Sequence, residues 1–332
     1  MLLHWLALLL AFSIPLYSKI PRHPRNWHLK HQQHPKNWNT KSQPHPKNWN
    51  IKHHQQQLRR QRRAPHWDII KPHGGHIRLT PIPIKKERFC DRIQIGNLVF
   101  SNVAKSMSRQ MRRIFCELNF RKRGWKVDAN TFIISEKNRP ACIVRARRFL
   151  RGNWWKPKNK RIILWRDPVD RFVSMYGHLC HGLQICGKAA ESVHTAAKSF
   201  YKILKDGKYP AGVKDRANLR HHIVPTTWYC GIGEEPKKYI PIEYTLDSKK
   251  MISRLRPHFR HSGISGKWID TALSRLLTTN NNKYRKLPEF AGIREGWMRD
   301  VFSNRTTMSY IIAAYYYDYR LFGKPLPKLP PK

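Results

Sequence analysis

Two short stretches hold the residue types that handle oxyanions. In Ala104-Lys105-Ser106-Met107-Ser108 a primary amine and two hydroxyls sit close together. With backbone N–H groups such a set holds a phosphate or sulfate group and stabilises charge developing on its oxygens. In the second stretch Arg166-Asp167-Pro168 is followed by Ser174. Arginine grips phosphate through two parallel N–H bonds, and serine adds a short hydroxyl donor. No G-x-x-x-x-G-K-[ST] occurs, so standard P-loop ATPase chemistry has no warrant. Taken singly, each stretch also reads as an ordinary strand-to-helix connection, a surface lysine in one and a turn-and-cap tripeptide in the other.

The flanking residues define the elements that must position these groups. Leu98–Val103 is an apolar, β-branched run, and Met107, Met111, Ile114, Phe115 and Leu118 recur at helical spacing. The pattern predicts strand, tight turn and helix, which aims N–H groups and the positive end of the helix dipole at one point. Ile162–Trp165 predicts a second strand, broken by Arg166-Asp167-Pro168. Pro168 suits the first turn of the next helix, Asp167 its cap, and Phe172, Val173 and Tyr176 its apolar stripe. Arg166 then lies at the carboxyl end of a strand and Ser174 about two turns along the helix. Strand–helix alternation predicts an α/β fold: a central, mainly parallel sheet flanked by helices, with ligands at the carboxyl ends of the strands.

Together the two stretches resemble a known family. KSMSRQMRRIFCEL, from Lys105, looks like the 5′-phosphosulfate loop of the Golgi carbohydrate sulfotransferases, and RDPVDRFVSMY, from Arg166, looks like their 3′-phosphate motif. The match is closest to the nematode-expanded branch related to chondroitin-type sulfotransferases. His222-x-x-Pro225-x-x-Trp228-x-Cys230 resembles a further family segment, Tyr315–Gly323 resembles the closing helix, and the likeness runs from about Arg88 to Gly323. The resemblance implies the P-loop-like sulfotransferase fold and the donor 3′-phosphoadenosine-5′-phosphosulfate (PAPS) as co-substrate, with no metal. It implies that Lys105, Ser106, Met107, Ser108 and Arg109 hold the 5′-phosphosulfate, that Lys105 also acts in catalysis, and that Arg166 and Ser174 hold the 3′-phosphate.

Composition bounds the remainder. The chain has 332 residues, 40% of them apolar, and a net charge of +45. Only 16 of its 65 basic residues and one of its 20 acidic residues lie in Lys19–Lys86, so the excess is not confined to a tail. A field of this sign attracts polyanions, whether nucleic acid, anionic membrane or acidic glycan, and charge does not choose among them. The resemblance implies an acidic glycan acceptor and no specific nucleic acid partner. Met1–Ser18 reads as a secretory signal peptide or a short signal-anchor, that is, a membrane anchor at the N-terminus. Either reading puts the chain in the secretory pathway, in the Golgi lumen or secreted. Residues 19–82 read as a disordered basic stem, with His-Pro-[Arg/Lys]-Asn-Trp repeated every 11 residues from His23. Residues 83–323 form the expected sulfotransferase domain and 324–332 a disordered Pro-rich tail.

Six cysteines (Cys90, Cys116, Cys142, Cys180, Cys186, Cys230) fit three disulfides in an oxidising lumen, in any of about 15 pairings. His178, Cys180, His181 and Cys186 could instead be read as metal ligands, although their spacing matches no standard zinc motif. Asn304-Arg305-Thr306 is a glycosylation sequon. Sulfuryl transfer to a hydroxyl benefits from a base, and His222 is the first candidate, with a purely structural histidine as the alternative. Glu243 is the second candidate, or an ion-pair partner. The reading is a sulfotransferase acting on a glycan hydroxyl, in a chondroitin-like chain on the family likeness. A secreted polyanion-binding protein with an inactive enzyme fold stands beside it. A nucleotide-dependent kinase is the third reading, weakened by the missing phosphate loop.

Overall fold

The computed structural model describes residues 67–70, 76–85, 90–124, 158–278 and 292–331. The chain divides into two units, Met1–His53 and His54–Lys332, and every described residue belongs to the second. The signal or anchor segment, the stem repeats, the apolar runs 132–134 and 142–144 and the basic tryptophan-bearing loop up to residue 157 lie outside the described residues.

Strands β1 (Trp67–Ile70) and β2 (His76–Leu79) form an antiparallel ribbon. The main sheet contains β3 (Asp91–Ile95), β4 (Leu98–Asn102), β5 (Lys160–Trp165) and β6 (Tyr239–Glu243), in that spatial order. β4 pairs parallel with β5, and β5 with β6; β3 is an antiparallel edge. The tight turn from β3 to β4 needs Gly96, whose φ is +54° and where a Cβ would meet the Ser262 carbonyl. The sheet is mainly parallel, as expected, and its one antiparallel edge arises because a two-residue hairpin needs no crossover.

Alternation along β5 explains why helices cover both faces. Ile162 and Leu164 join Phe100, Ile114, Phe115 and Leu118 in one apolar core, and Ile163 joins Phe172, Val173 and Phe200 in the other. A parallel strand buried on both faces reads as a continuous apolar run, as IILW does here. On the first face lie α1 (Ser108–Lys122), α5 (Ser248–Phe259) and α6 (Gly266–Thr278). Glu117 of α1, fully buried, accepts from Arg121 (3.0 and 3.1 Å) and from Arg275 of α6, which ties the two helices together. On the second face lie α2 (Pro168–Met175), α3 (Val193–Asp206), α4 (Arg216–Ile223) and α8 (Arg305–Leu321), and α7 (Ile293–Ser303) packs beside α2.

The amphipathic pattern of Val193, Ala196, Ala197, Phe200 and Leu204 predicts one helix over Ala189–Lys205. The stretch Ala189–Lys205 splits, with a 3₁₀ turn at Gly187–Ala190 before α3, because Ser192 caps α3 by accepting from the Thr195 N–H (3.1 Å). Asn304 of the sequon caps α8, its Oδ1 accepting from the Thr307 N–H (2.9 Å). The Pro-rich tail lies against the domain: Leu326 and Leu329 pack on the core, and Arg305 donates to the Pro330 carbonyl (2.9 Å).

Candidate active site

The parallel register puts the carboxyl ends of β4, β5 and β6 on one edge of the sheet. The chain leaves β4 through Ala104-Lys105-Ser106-Met107 and enters α1 at Ser108. Lys105 and Met107 have positive φ (65° and 55°), a conformation that costs a non-glycine residue on the order of 1–2 kcal/mol. Two left-handed residues flanking Ser106 curl the backbone into a concave turn of N–H groups, which suits an anion. Met107 therefore closes the loop as the N-cap position, although its spacing predicted the first residue of the helix stripe.

That helix start is left open. Asp167, Ser192, Asp215, Asp247 and Asn304 each place a side-chain oxygen on the N–H groups of their own helices, but no side chain caps α1 and no acidic residue stands in its first turn. The Ser106 hydroxyl is buried at the same place with no hydrogen-bond partner among the described residues. A buried orphan hydroxyl beside an uncapped helix start suits an anion, while the Ser106 N–H itself donates to the Val103 carbonyl (3.3 Å). Ser108 is half-buried at the first helical position, and Arg109 is exposed one residue on.

The second stretch meets the first. Arg166, buried at the end of β5, donates through Nη1 to the Lys105 carbonyl (2.8 Å) and through Nε to Asp170 (2.6 Å). Its guanidinium lies over the Tyr244 ring at 5.0 Å. Asp170 also accepts from Arg294 of α7, a cation that no motif had marked. Asp167 caps α2 as expected, accepting from the N–H groups of Val169 (2.9 Å) and Asp170 (3.0 Å). Ser174 is half-buried on α2, one turn beyond the Asp170 that binds Arg166, with no hydrogen bond among the described residues.

Electrostatics make this edge an anion trap. Burial of Lys105, then repulsion from Arg166, Arg109 and Arg171, pulls its pKa from 10.5 down to about 7. The folded chain thus favours the neutral amine. The stability penalty is absent above pH 10.5, grows as pH falls, and is full below about pH 7. A bound anion would remove it.

His222, at the end of α4, faces the same ammonium. Its Nδ1 lies 2.9 Å from the Asn218 carbonyl, which can only accept, so Nδ1 carries the proton and Nε2 keeps its lone pair. Burial, with Lys105, His221 and His178 nearby, lowers its pKa to about 3, so the ring is neutral. Glu243 is occupied elsewhere: its carboxylate pairs with Lys324 (3.0 Å) and Arg254 (3.5 Å), which makes it the ion-pair partner rather than the base. The metal reading of the 178–186 segment also fails, because Cys180 and Cys186 form a disulfide. No group of potential ligands able to hold a metal occurs among the described residues. Cys90 bonds Cys230, Cys116 is also disulfide-bonded, and no described cysteine is free.

The residue that composition and motif missed is Arg171. Its side chain is fully buried, donating through Nε to the Ala104 carbonyl (3.1 Å) and through Nη2 to those of His222 (3.0 Å) and Val224 (2.8 Å). One guanidinium thereby stitches the anion loop to the histidine. Tyr315 donates to the Ile223 carbonyl (2.8 Å) and Tyr229 to that of His221. Every carbonyl from His221 to Val224 is therefore held, where a helix end would otherwise leave them bare. Buried Asp318 accepts from the N–H groups of Thr226 (2.8 Å) and Thr227 (2.9 Å), and Trp228 donates to the Pro83 carbonyl (3.0 Å). The family-like segments at 222–230 and 315–323 thus serve to fix His222. A signal was available: Arg171 falls in the buried stripe beside Phe172, where arginine is rarely found unpaired.

A basic loop after the first parallel strand, met by an arginine after the next, is an arrangement suited to a phosphate- or sulfate-bearing group. The sequence model described as "Sulfotransferase family" matches residues 94–325, and the chain belongs to that family. It is also 27% identical over 238 residues to "Uncharacterized protein C18B2.2" of Caenorhabditis elegans, covering 68% of this chain and 66% of that protein. No solved structure matches.

Proposed function

We propose that this chain transfers a sulfuryl group from 3′-phosphoadenosine-5′-phosphosulfate to a hydroxyl of an acidic glycan, a chondroitin-like chain being the first candidate, in the lumen of the secretory pathway. The carrying observation is the uncapped start of α1, with the orphaned Ser106 hydroxyl and the Lys105 amine beside it, in a loop whose Lys105 carbonyl accepts from Arg166 across the strand ends. These residues fit the donor's two anionic ends. It supplies a sulfuryl group already activated by a phosphate leaving group. Lys105, the Ser106 and Ser108 hydroxyls and the loop N–H groups around Met107 and Arg109 hold the phosphosulfate and stabilise charge on the departing oxygen. The free Nη2 of Arg166 and the Ser174 hydroxyl take the 3′-phosphate. His222 Nε2 receives the acceptor proton. The three expected disulfides, two of them paired above, favour an oxidising lumen over the cytosol, and the basic surface gathers acidic chains.

Two outcomes follow. Binding of the desulfated donor product restores charge to Lys105, so at pH 8.5 complex formation takes up on the order of one proton. Affinity falls as pH rises above about 7, where the free site loses that charge. Calorimetry in two buffers of different ionisation enthalpy measures the uptake; Lys105→Ala should abolish it, and uptake that survives would contradict the assignment. His222→Ala should lower kcat by about 10²–10⁴-fold, the usual contribution of a general base, while product binding measured by the same calorimetry stays within a factor of about three. Equal losses in both would make His222 a structural residue.

A further inference from the structure

We propose that His178 is a second histidine of the transfer site: it holds the acceptor hydroxyl oxygen while His222 takes the proton. The proposal rests on the sulfotransferase reading and deepens it by assigning the acceptor contact.

The geometry comes from an irregular helix. After α2 the chain does not continue as an α-helix but winds into a π-turn over Tyr176–Gly182, closed by the Leu183 N–H donating five residues back to the His178 carbonyl (2.9 Å). Such wide turns are unfavourable alone and recur at functional sites. Here the turn is fixed from several sides. Trp297 of α7 packs edge-on against the rings of Tyr176 and His181, at 5.0 and 5.3 Å. It also lies so close over Gly177 that an added Cβ would stand 2.7 Å from the indole. The Tyr176 hydroxyl donates to the Ala190 carbonyl (3.0 Å), and the Cys180–Cys186 disulfide ties the turn to the following segment.

What these restraints present is His178. Its ring lies 5.8 Å from that of His222, centroid to centroid, and is half-buried. It makes no hydrogen bond within the described residues. The charged and titratable groups facing it are Lys105 and Arg109 from the loop and the first turn of α1, and His222 from α4. With burial, the two cations lower its pKa to about 4, so the ring is neutral and has one N–H to donate. A half-buried imidazole held in place and neutral, with no hydrogen bond from its ring to the described residues, has a ring N–H available to a ligand. Two hydrogen bonds of about 2.9 Å meeting at one oxygen bring ring nitrogens to within about 5–6 Å of each other, which the observed ring separation accommodates.

The division of labour follows from the tautomers. His222 keeps its lone pair at Nε2 because Nδ1–H is committed to Asn218. His178 donates its N–H to a lone pair of the acceptor hydroxyl, whose proton then points at His222. As the oxygen forms its bond to the sulfur of the phosphosulfate donor, the proton passes to His222 Nε2. The bond from sulfur to the bridging oxygen breaks, and its electron pair leaves on the phosphate of the donor product. His178 neither gains nor loses a proton.

The test uses the full chain, labelled donor and a desulfated glycan acceptor that the wild type sulfates. His178→Ala should lower kcat/KM for the acceptor on the order of 10- to 100-fold, the value of one buried hydrogen bond. His178→Gln, which keeps a donor, should recover most of that loss. The affinity for the desulfated donor product and the acid limb of the pH–rate profile should not move. Gly177→Ala, which displaces Trp297, should reproduce the acceptor defect without touching the histidine. Wild-type transfer with His178→Ala and Gly177→Ala both unchanged would overturn the assignment while leaving the sulfotransferase reading standing. His178→Ala and His178→Gln losing donor-product affinity together would overturn it too, by showing that His178 holds the loop instead. An inactive wild type that binds no donor product would instead sink the reading beneath it.

Discussion

Lys105→Ala should lower sulfuryl transfer on the order of 10³-fold in kcat/KM and leave the fold as stable as before, or more so. On the proposed function the loss follows from position: the amine would sit where charge develops on the departing oxygen, and removing one such donor from a water-poor site costs about 3–4 kcal/mol. The stability result follows from the sign of its pKa. Burial and the surrounding arginines hold Lys105 at about 7, so its ammonium is disfavoured in the folded chain at every pH below 10.5. Deleting it removes a repulsive group rather than a supporting one. Thermal melts beside initial rates test both halves, and a variant that loses activity by unfolding would contradict the account. Lys105→Arg should not rescue, because a larger, permanently charged fork would join a cluster that already holds Arg109, Arg166 and Arg171.

Arg171→Met has the largest expected effect on the fold. It strands three buried carbonyls, those of Ala104, His222 and Val224, and takes the nearby cation from Asp318, which is itself fully buried. Breaking one partner of a buried charge network costs about 3–5 kcal/mol. In a domain of this size that lowers the melting midpoint by about 6–20 °C. Arg171→Lys should recover little, since an ammonium cannot span acceptors on two separate segments as the planar fork does. Urea unfolding measures the loss; a change under about 1 kcal/mol would mean that the stitch between loop and histidine contributes nothing.

The two motifs were legible because each is local. A strand, a turn and a helix are written in consecutive residues, and Pro168 with Asp167 marks the start of the second helix. Meeting across the sheet was legible too, since parallel strands bring their carboxyl ends to one edge. The antiparallel β3 edge, the π-turn and α7 were not. The π-turn depends on the fit of Trp297 over Gly177, more than 100 residues apart in sequence, and periodicity carries no trace of that. The same holds for Arg294, which reaches Asp170 only once α7 is placed. Choosing between His222 and Glu243 needed coordinates: both are plausible bases by type, and only the ion pairs to Lys324 and Arg254 remove Glu243. The cysteine pairing had the same character, with Cys90 and Cys230 lying 140 residues apart.

Beyond the matched family, the proposed function requires that the turn at Lys105 and the arginine at 166 hold the two ends of one phosphosulfate donor. The most direct test is transfer of labelled sulfate from 3′-phosphoadenosine-5′-phosphosulfate to a panel of desulfated glycans by the full chain, beside Lys105→Ala and Arg166→Ala. The account predicts labelled glycan from the wild type, and almost none from either variant, with Arg166→Ala also losing affinity for the desulfated donor product. Wild-type protein that neither transfers sulfate nor binds that product, yet still binds polyanions in a salt-dependent way, would contradict it and leave a polyanion-binding protein on a sulfotransferase scaffold.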